Sequence, residues 1–130
     1  MGKYGFAKSS VTRMKSIDPK LCALLYEVKE RSEIDFDISC GYRSIEDQEM
    51  MFKTGRSQLD GVNNKSMHNF FPALAVDIYA YKHGGKADYS KKKMLYLAQV
   101  FKEAATDMKI KIVWGGDWPD FVDMPHYQLA

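Results

Sequence analysis

The chain has 130 residues, 45% of them apolar and 28% charged, with a formal net charge of +2. That suits a single globular domain, 1–130, with one core. So mild a basic balance excludes a protein built around nucleic acid, although it would not repel an anionic polymer. No stretch approaches the ~18 apolar residues of a membrane span, so no membrane insertion is expected.

Residues 1–17 contain Lys, Ser and Gly without periodicity and are expected to be an extended lead-in. Residues 1–16 lack the apolar centre of a signal peptide. Phe6 stands where a myristoylation signal after Gly2 needs Ser or Thr. The protein is therefore expected to be made in the cytoplasm and to reach an outside target by another route. Asp18-Pro19 is a helix start, with Asp as the cap and Pro in the first turn. Leu21, Leu24, Leu25 and Val28 then recur at helical spacing to about Arg31. Polar residues alternate with Phe36, Ile38 and Cys40 over 35–40, which predicts a half-buried strand. Gly41 breaks it, Ser44 with Asp47 resembles a capping box, and a short helix is expected to run to Thr54 and close at Gly55.

Residues 56–67 are turn-rich and read as a loop. A strand is expected over 75–81, with a turn at Gly84-Gly85 and His83 exposed beside it. Ser90 opens a longer helix with Met94, Leu95, Ala98, Phe101 and Ala105 on one face. A strand over 110–114, a turn at Gly115-Gly116 and a last strand over 126–129 complete the chain. The lysines at 91–93 and 109–111 read as ordinary solvated faces. Cys22 and Cys40 are too few and too far apart for a disulfide scaffold and are expected to be buried free thiols of a reducing compartment. Helices and strands without regular βαβ alternation indicate an α+β domain.

The chemistry sits with the histidines, of which there are three: His68, His83 and His126. Ser66-Met67-His68 leads into Ala75-Val76-Asp77, and the chain ends with Asp123-Met124-Pro125-His126. Two imidazoles and a carboxylate would give zinc three protein ligands and leave a fourth position open, as a catalytic zinc requires. A further carboxylate must carry the proton, and Asp123 is placed for that role. Pro125 argues against a helix there. Taken singly, each residue also reads as an ordinary structural one: a satisfied histidine, an outward strand Asp77, a turn-opening Asp123. Spacing alone leaves both readings open.

These residues together resemble a known family. Gly41-Tyr42-Arg43-Ser44, Ser66-Met67-His68, Ala75-Val76-Asp77 and Asp123-x-x-His126 stand in the order found in zinc peptidases. That family includes the L-alanyl-D-glutamate endopeptidases of phage lysis systems, D-alanyl-D-alanine carboxypeptidases and the vancomycin-resistance dipeptidase. Trp114-Gly115-Gly116-Asp117-Trp118 is similar to a stretch of the endopeptidase branch. The resemblance implies a small antiparallel sheet with about three helices, as in DD-peptidase and Hedgehog domains. It implies one zinc per chain on His68, Asp77 and His126, with Asp123 as general base and then acid. Arg43 would stabilise the developing oxyanion, and Ser66 would support the substrate or a ligand.

Two departures stand out. The interval from His68 to Asp77 is two residues longer than is common in the family, and the acid is Asp rather than Glu. Trp114, Asp117 and Trp118 read either as turn and core or as the rim of a peptide groove; Tyr127 and Gln128 continue the last strand and are candidates to line the site. The expected activity is a monomeric phage endolysin that hydrolyses the peptidoglycan stem peptide in the periplasm of a host bacterium. A carboxypeptidase or dipeptidase of the same family is one alternative, and a non-catalytic zinc-binding module is another.

Overall fold

The computed structural model of the chain describes residues 4–130; Met1, Gly2 and Lys3, where the lead-in and the targeting readings begin, lie outside the described residues. The rest of that lead-in corrects the expectation of extended chain, because Lys8–Met14 forms a helix, α1. Its sequence shows little periodicity because polar bonds hold it in place as much as apolar burial. Ser10 is buried, and its Oγ donates to Asp37 Oδ1 while accepting from the Ile38 amide at 2.9 Å. The Ala7 amide, at the start of the helix where backbone donors lack partners, reaches Asp37 Oδ1 at 2.9 Å.

Helix α2 spans Pro19–Arg31, and the Asp18 side chain accepts from the Lys20 amide at 2.8 Å. Strand β1 is Phe36–Cys40, and α3 is Ile45–Lys53, capped by Ser44 Oγ accepting from the Asp47 amide at 3.1 Å. Strand β2 is Ala75–Tyr81, the two-residue β3 is Ala87–Asp88, α4 is Lys91–Met108, β4 is Ile112–Trp114 and β5 is His126–Leu129. The sheet runs β1-β2-β5-β4, with β3 also on β2, and every strand pair is antiparallel. The α+β class and small antiparallel sheet are as expected, with α1 making four α-helices among the described residues rather than about three.

The apolar stripe of α2, Leu21, Leu24, Leu25 and Val28, and that of α4, Met94, Leu97, Ala98, Phe101 and Ala105, are buried in one core with Phe36, Ile38, Val76, Ile78, Ala80 and Tyr127 of the sheet. Each fully buried leucine contributes about 1.5–3 kcal/mol. Leu95, expected on that face of α4, is exposed, because the stripe follows Met94 and Leu97 instead. The strand expected from residue 110 starts at Ile112. Lys109 adopts φ +58 and the Ile110 amide returns to the Ala105 carbonyl at 2.9 Å, so the helix end consumes those residues. Cys22 and Cys40 are both free, and each is half-buried rather than buried.

Candidate metal centre and cleft

Side chains on a strand alternate between faces. In β2 that sends Val76, Ile78 and Ala80 to the core and leaves Asp77, Tyr79 and Tyr81 on the opposite face. Asp77 stands directly across from His126 of β5 in the antiparallel register, so the two side chains are neighbours on that face. His68 arrives from a single 3-10 turn, Met67–Asn69. Ser66 Oγ accepts from the His68 amide at 3.2 Å, and Asn69 Oδ1 accepts from the Ser66 amide at 2.9 Å. Asn69 Nδ2 then donates to the Arg43 carbonyl at 2.9 Å, and the Arg43 amide donates to the His68 carbonyl at 2.8 Å. The turn is thus locked to the Arg43 segment. In the interval that leads on to Asp77, Phe70 and Phe71 are exposed, Phe71 by 73%.

The result is a triangle of donor atoms. His68 Nε2 lies 3.2 Å from Asp77 Oδ1 and 3.2 Å from His126 Nδ1, and His126 Nδ1 lies 3.1 Å from Asp77 Oδ1. The other nitrogen of each ring is already engaged. His68 Nδ1 donates to the Gly41 carbonyl at 2.7 Å, and His126 Nε2 donates to Gln128 Oε1 at 2.8 Å. Those bonds select the tautomers whose lone pairs face Asp77. Three such atoms converging in a buried place need a positive charge among them, which a proton on His68 or a metal ion would supply. Bonds of about 2.0–2.1 Å to a tetrahedral zinc separate its ligand atoms by about 3.3 Å, and the three edges here match that. The residues therefore fit zinc.

The same electrostatics appear in the proton affinities. Burial pulls the His68 imidazole down, but the hydrogen bond and charge of Asp77, with a smaller contribution from Cys40, outweigh it and push it to about 10. Burial opposes ionisation of Asp77, but its bonds to His126 and His68 hold it well below the usual carboxylate range.

Asp123 sits beside the triangle, where Asp77, Asp123 and His126 each bring a ligand atom within 4.8 Å of the others. Burial and then the charge of Asp77 raise its carboxyl above the usual range. Its backbone N–H donates a hydrogen bond to the Gly115 carbonyl at 3.0 Å. A Cβ at Gly115 would fall 2.2 Å from the Asp123 carbonyl oxygen, and one at Gly116 would fall 2.2 Å from the Trp114 ring. The Gly-Gly pair is thus a packing requirement of the turn that carries Asp123.

Arg43 NH2 lies 3.4 Å from Asp77 Oδ2, and its NH1 donates to Gln48 Oε1 at 2.8 Å. Gln48 is fully buried and donates through Nε2 to Ser57 Oγ and to the Leu59 carbonyl, both at 2.8 Å. Cys40 Sγ lies behind the centre, 3.5 Å from Arg43 NH2 and 3.9 Å from His68 Nδ1.

A cleft of about 550 Å³ opens over this group and is lined by Arg43, Ser66, His68, Asp77, Asp123 and His126 together. Trp118 also lines it, tilted over the His126 ring at 5.0 Å, while Leu59, Phe121 and Val122 make it partly apolar. The structure does not bring Trp114 or Asp117 into the cleft wall. Trp114 pairs across the sheet with Tyr127, a core residue, and its buried indole donates to the Met124 carbonyl at 2.6 Å. Asp117 is on the surface, bonded to Lys102 at 2.7 Å. Sequence reasoning missed Gln48 and Asn69, and offered Gln128 only as a residue that could line the site, not as the partner of His126. The available signal was parity for Gln128, two residues after His126, and for Gln48 a polar residue within a short amphipathic helix.

A family model described as phage L-alanyl-D-glutamate peptidase matches residues 2–128. The peptidoglycan L-alanyl-D-glutamate endopeptidase CwlK of Bacillus subtilis is 27% identical over 110 residues, which are 74% of this chain and 61% of that protein. The chain thus spans less than two thirds of that relative's length. The L-alanyl-D-glutamate peptidase of Escherichia phage T5 is 27% identical over 116 residues, 88% of this chain and 82% of the phage protein. The crystal structure of the L-Ala D-Glu endopeptidase ChiX of Serratia marcescens superposes with a TM-score of 0.83 at 26% identity, covering 98% of this chain and 92% of that one. The vancomycin-resistance D,D-dipeptidase VanXYg shares the fold, with a TM-score of 0.53 at 17% identity, over 87% of this chain and 50% of that one.

Proposed function

We propose that this chain, which belongs to the phage L-alanyl-D-glutamate peptidase family, is a zinc-dependent peptidase that cuts the L-Ala–D-Glu bond in the stem peptide of peptidoglycan. The observation that carries the reading is the triangle of His68, Asp77 and His126 atoms at 3.1–3.2 Å, with the second nitrogen of each imidazole already donating elsewhere. One zinc ion per chain would be held by those three residues, where it supplies a Lewis acid and makes water a nucleophile near neutral pH.

The chain's own groups do the rest. Asp123, with its carboxyl raised by burial and by Asp77, accepts a proton from the attacking water and returns it to the departing D-glutamate amine. Arg43 brings a planar guanidinium with several donors. Gln48 and Asp77 hold its plane, so its remaining donors meet negative charge as it develops on the scissile carbonyl oxygen. Ser66 acts through His68, by capping the turn that presents the ring. Trp118 offers an aromatic wall to the peptide.

Every ligand and the base come from one chain, which supports a monomer. The phage relative supports a role in lysis, on the periplasmic cell wall of a host. No described helix is long and apolar enough to cross a membrane. The test is Asp123→Ala. Zinc content should stay at one per chain while hydrolysis of purified peptidoglycan falls about 10²–10⁴-fold; undiminished hydrolysis would remove Asp123 from the mechanism.

A further inference from the structure

The cleft holds a cation that this mechanism does not use. Arg56 lines the same cavity as the metal centre. Its side chain has one partner among the described residues, the neutral Thr54 Oγ1, reached through Nε at 3.0 Å. Both terminal nitrogens of the guanidinium are left to solvent. Three acids share the cavity, Asp77, Asp120 and Asp123, and none pairs with Arg56, whereas Arg43 is committed to Asp77 at 3.4 Å.

The backbone that carries Arg56 is nonetheless fixed. Gly55 turns the chain at φ +76, a value that favours glycine, and the Arg56 amide bonds to the Met51 carbonyl at 2.8 Å. The next residue, Ser57, accepts from the buried Gln48, whose other amide atom holds Arg43. The two arginines are therefore set in one frame, one engaged with the metal-ligand candidate Asp77 and the other open to an anion.

The substrate has such an anion. Glutamate carries two carboxyl groups, and a peptide that continues past it uses only one for the next bond. The other stays ionised, within the residue whose amine leaves. We propose that Arg56 determines specificity by donating its terminal N–H pair to that free carboxylate, in the bidentate geometry that arginine favours. The enzyme then prefers a stem peptide with the free acid over one in which that group is a carboxamide, which has no charge and offers one acceptor and one donor in place of two acceptors. This inference rests on the peptidase reading above.

The experiment measures kcat/KM of the zinc-loaded enzyme on two synthetic stem peptides that differ only in that carboxylate or carboxamide. Wild type should prefer the acid about 10–100-fold, the range for a hydrogen bond to a charged group. Arg56→Gln should lose most of that preference, by slowing the acid peptide about 10–100-fold more than the amide peptide. Arg56→Lys, which keeps the charge without the fork, should fall between them. Zinc content and the thermal midpoint of each variant report the fold directly. Equal slowing of both peptides by Arg56→Gln, or no preference in wild type, would overturn the proposal. Failure of wild type to cut either peptide would sink the peptidase reading and this inference with it, a result distinct from cleavage without preference.

Discussion

At His68 and His126 the bonds that decide the chemistry are the ones turned away from Asp77. A neutral histidine free to choose its tautomer presents a given lone pair only part of the time, whereas a neutral ring whose far nitrogen donates to a carbonyl or amide oxygen is held in the tautomer that presents it. Gly41 does this for His68, and Gln128 does it for His126. Gln128→Ala should therefore weaken zinc binding about 10–100-fold, read by competition with a chromophoric chelator. Unchanged affinity would mean that the ring is oriented by packing alone.

Protons compete for the same atoms. Asp77 pushes His68 to about 10 against the pull of burial, so zinc uptake near neutral pH must release the proton from His68. Affinity should rise about tenfold per pH unit for each proton displaced, and titration calorimetry in buffers of different ionisation enthalpy counts that proton. Stability after chelation follows the opposite course. A raised His68 contributes fully below its unfolded value of about 6.5 and loses that contribution as pH climbs toward 10. A depressed Asp77 contributes above about 4 and loses its contribution in acid. The chelated protein should melt highest between about pH 4 and 6.5, and the zinc-loaded protein at higher pH. A zinc affinity flat from pH 6 to 8 would contradict this account.

Among the elements, α1 shows how polar anchoring substitutes for an apolar stripe. Ser10→Ala removes the hydroxyl that joins Asp37 to the Ile38 amide and leaves a buried N–H without its partner. A loss of about 1–3 kcal/mol is expected, read as a lower urea midpoint at unchanged slope. An unchanged midpoint would show that α1 docks without this bond.

The helix was illegible in the sequence for the same reason that it is stable: its anchor is an aspartate 27 residues away, which no local pattern reveals. Helix α2 and strand β2 were legible because a cap, a proline and a clean alternation all act locally. The metal triangle was legible as motifs in order but not as geometry, since the Asp77–His126 pairing depends on a sheet register. The end of β4 and the 3-10 turn over Gly115–Asp117 separate the two tryptophans. Trp114 sits opposite Tyr127 on the core face, while Trp118, beyond the strand, reaches the cleft. Their similar sequence surroundings conceal that difference.

At the scale of the whole molecule, one sheet divides the labour. The core with α2 and α4 lies on one face, and Asp77 and His126 project from the other, so the site stands on strands whose reverse side is fully packed. Loops complete it, with Arg43 after β1, the 3-10 turn of His68, and the Gly115 turn that carries Asp123. A rigid sheet with the chemistry at its loops keeps ligand atoms within a few tenths of an ångström of the required edges. The formal charge of +2 leaves such a surface compatible with an anionic polymer.

The most direct test of this account is digestion of purified peptidoglycan by the zinc-loaded protein, with mass analysis of the soluble fragments and a chelator-treated control. The account predicts release of stem peptides that begin with D-glutamate, abolished by chelation and restored by added zinc. Release of terminal D-alanine alone, or the same fragments with chelator present, would contradict it.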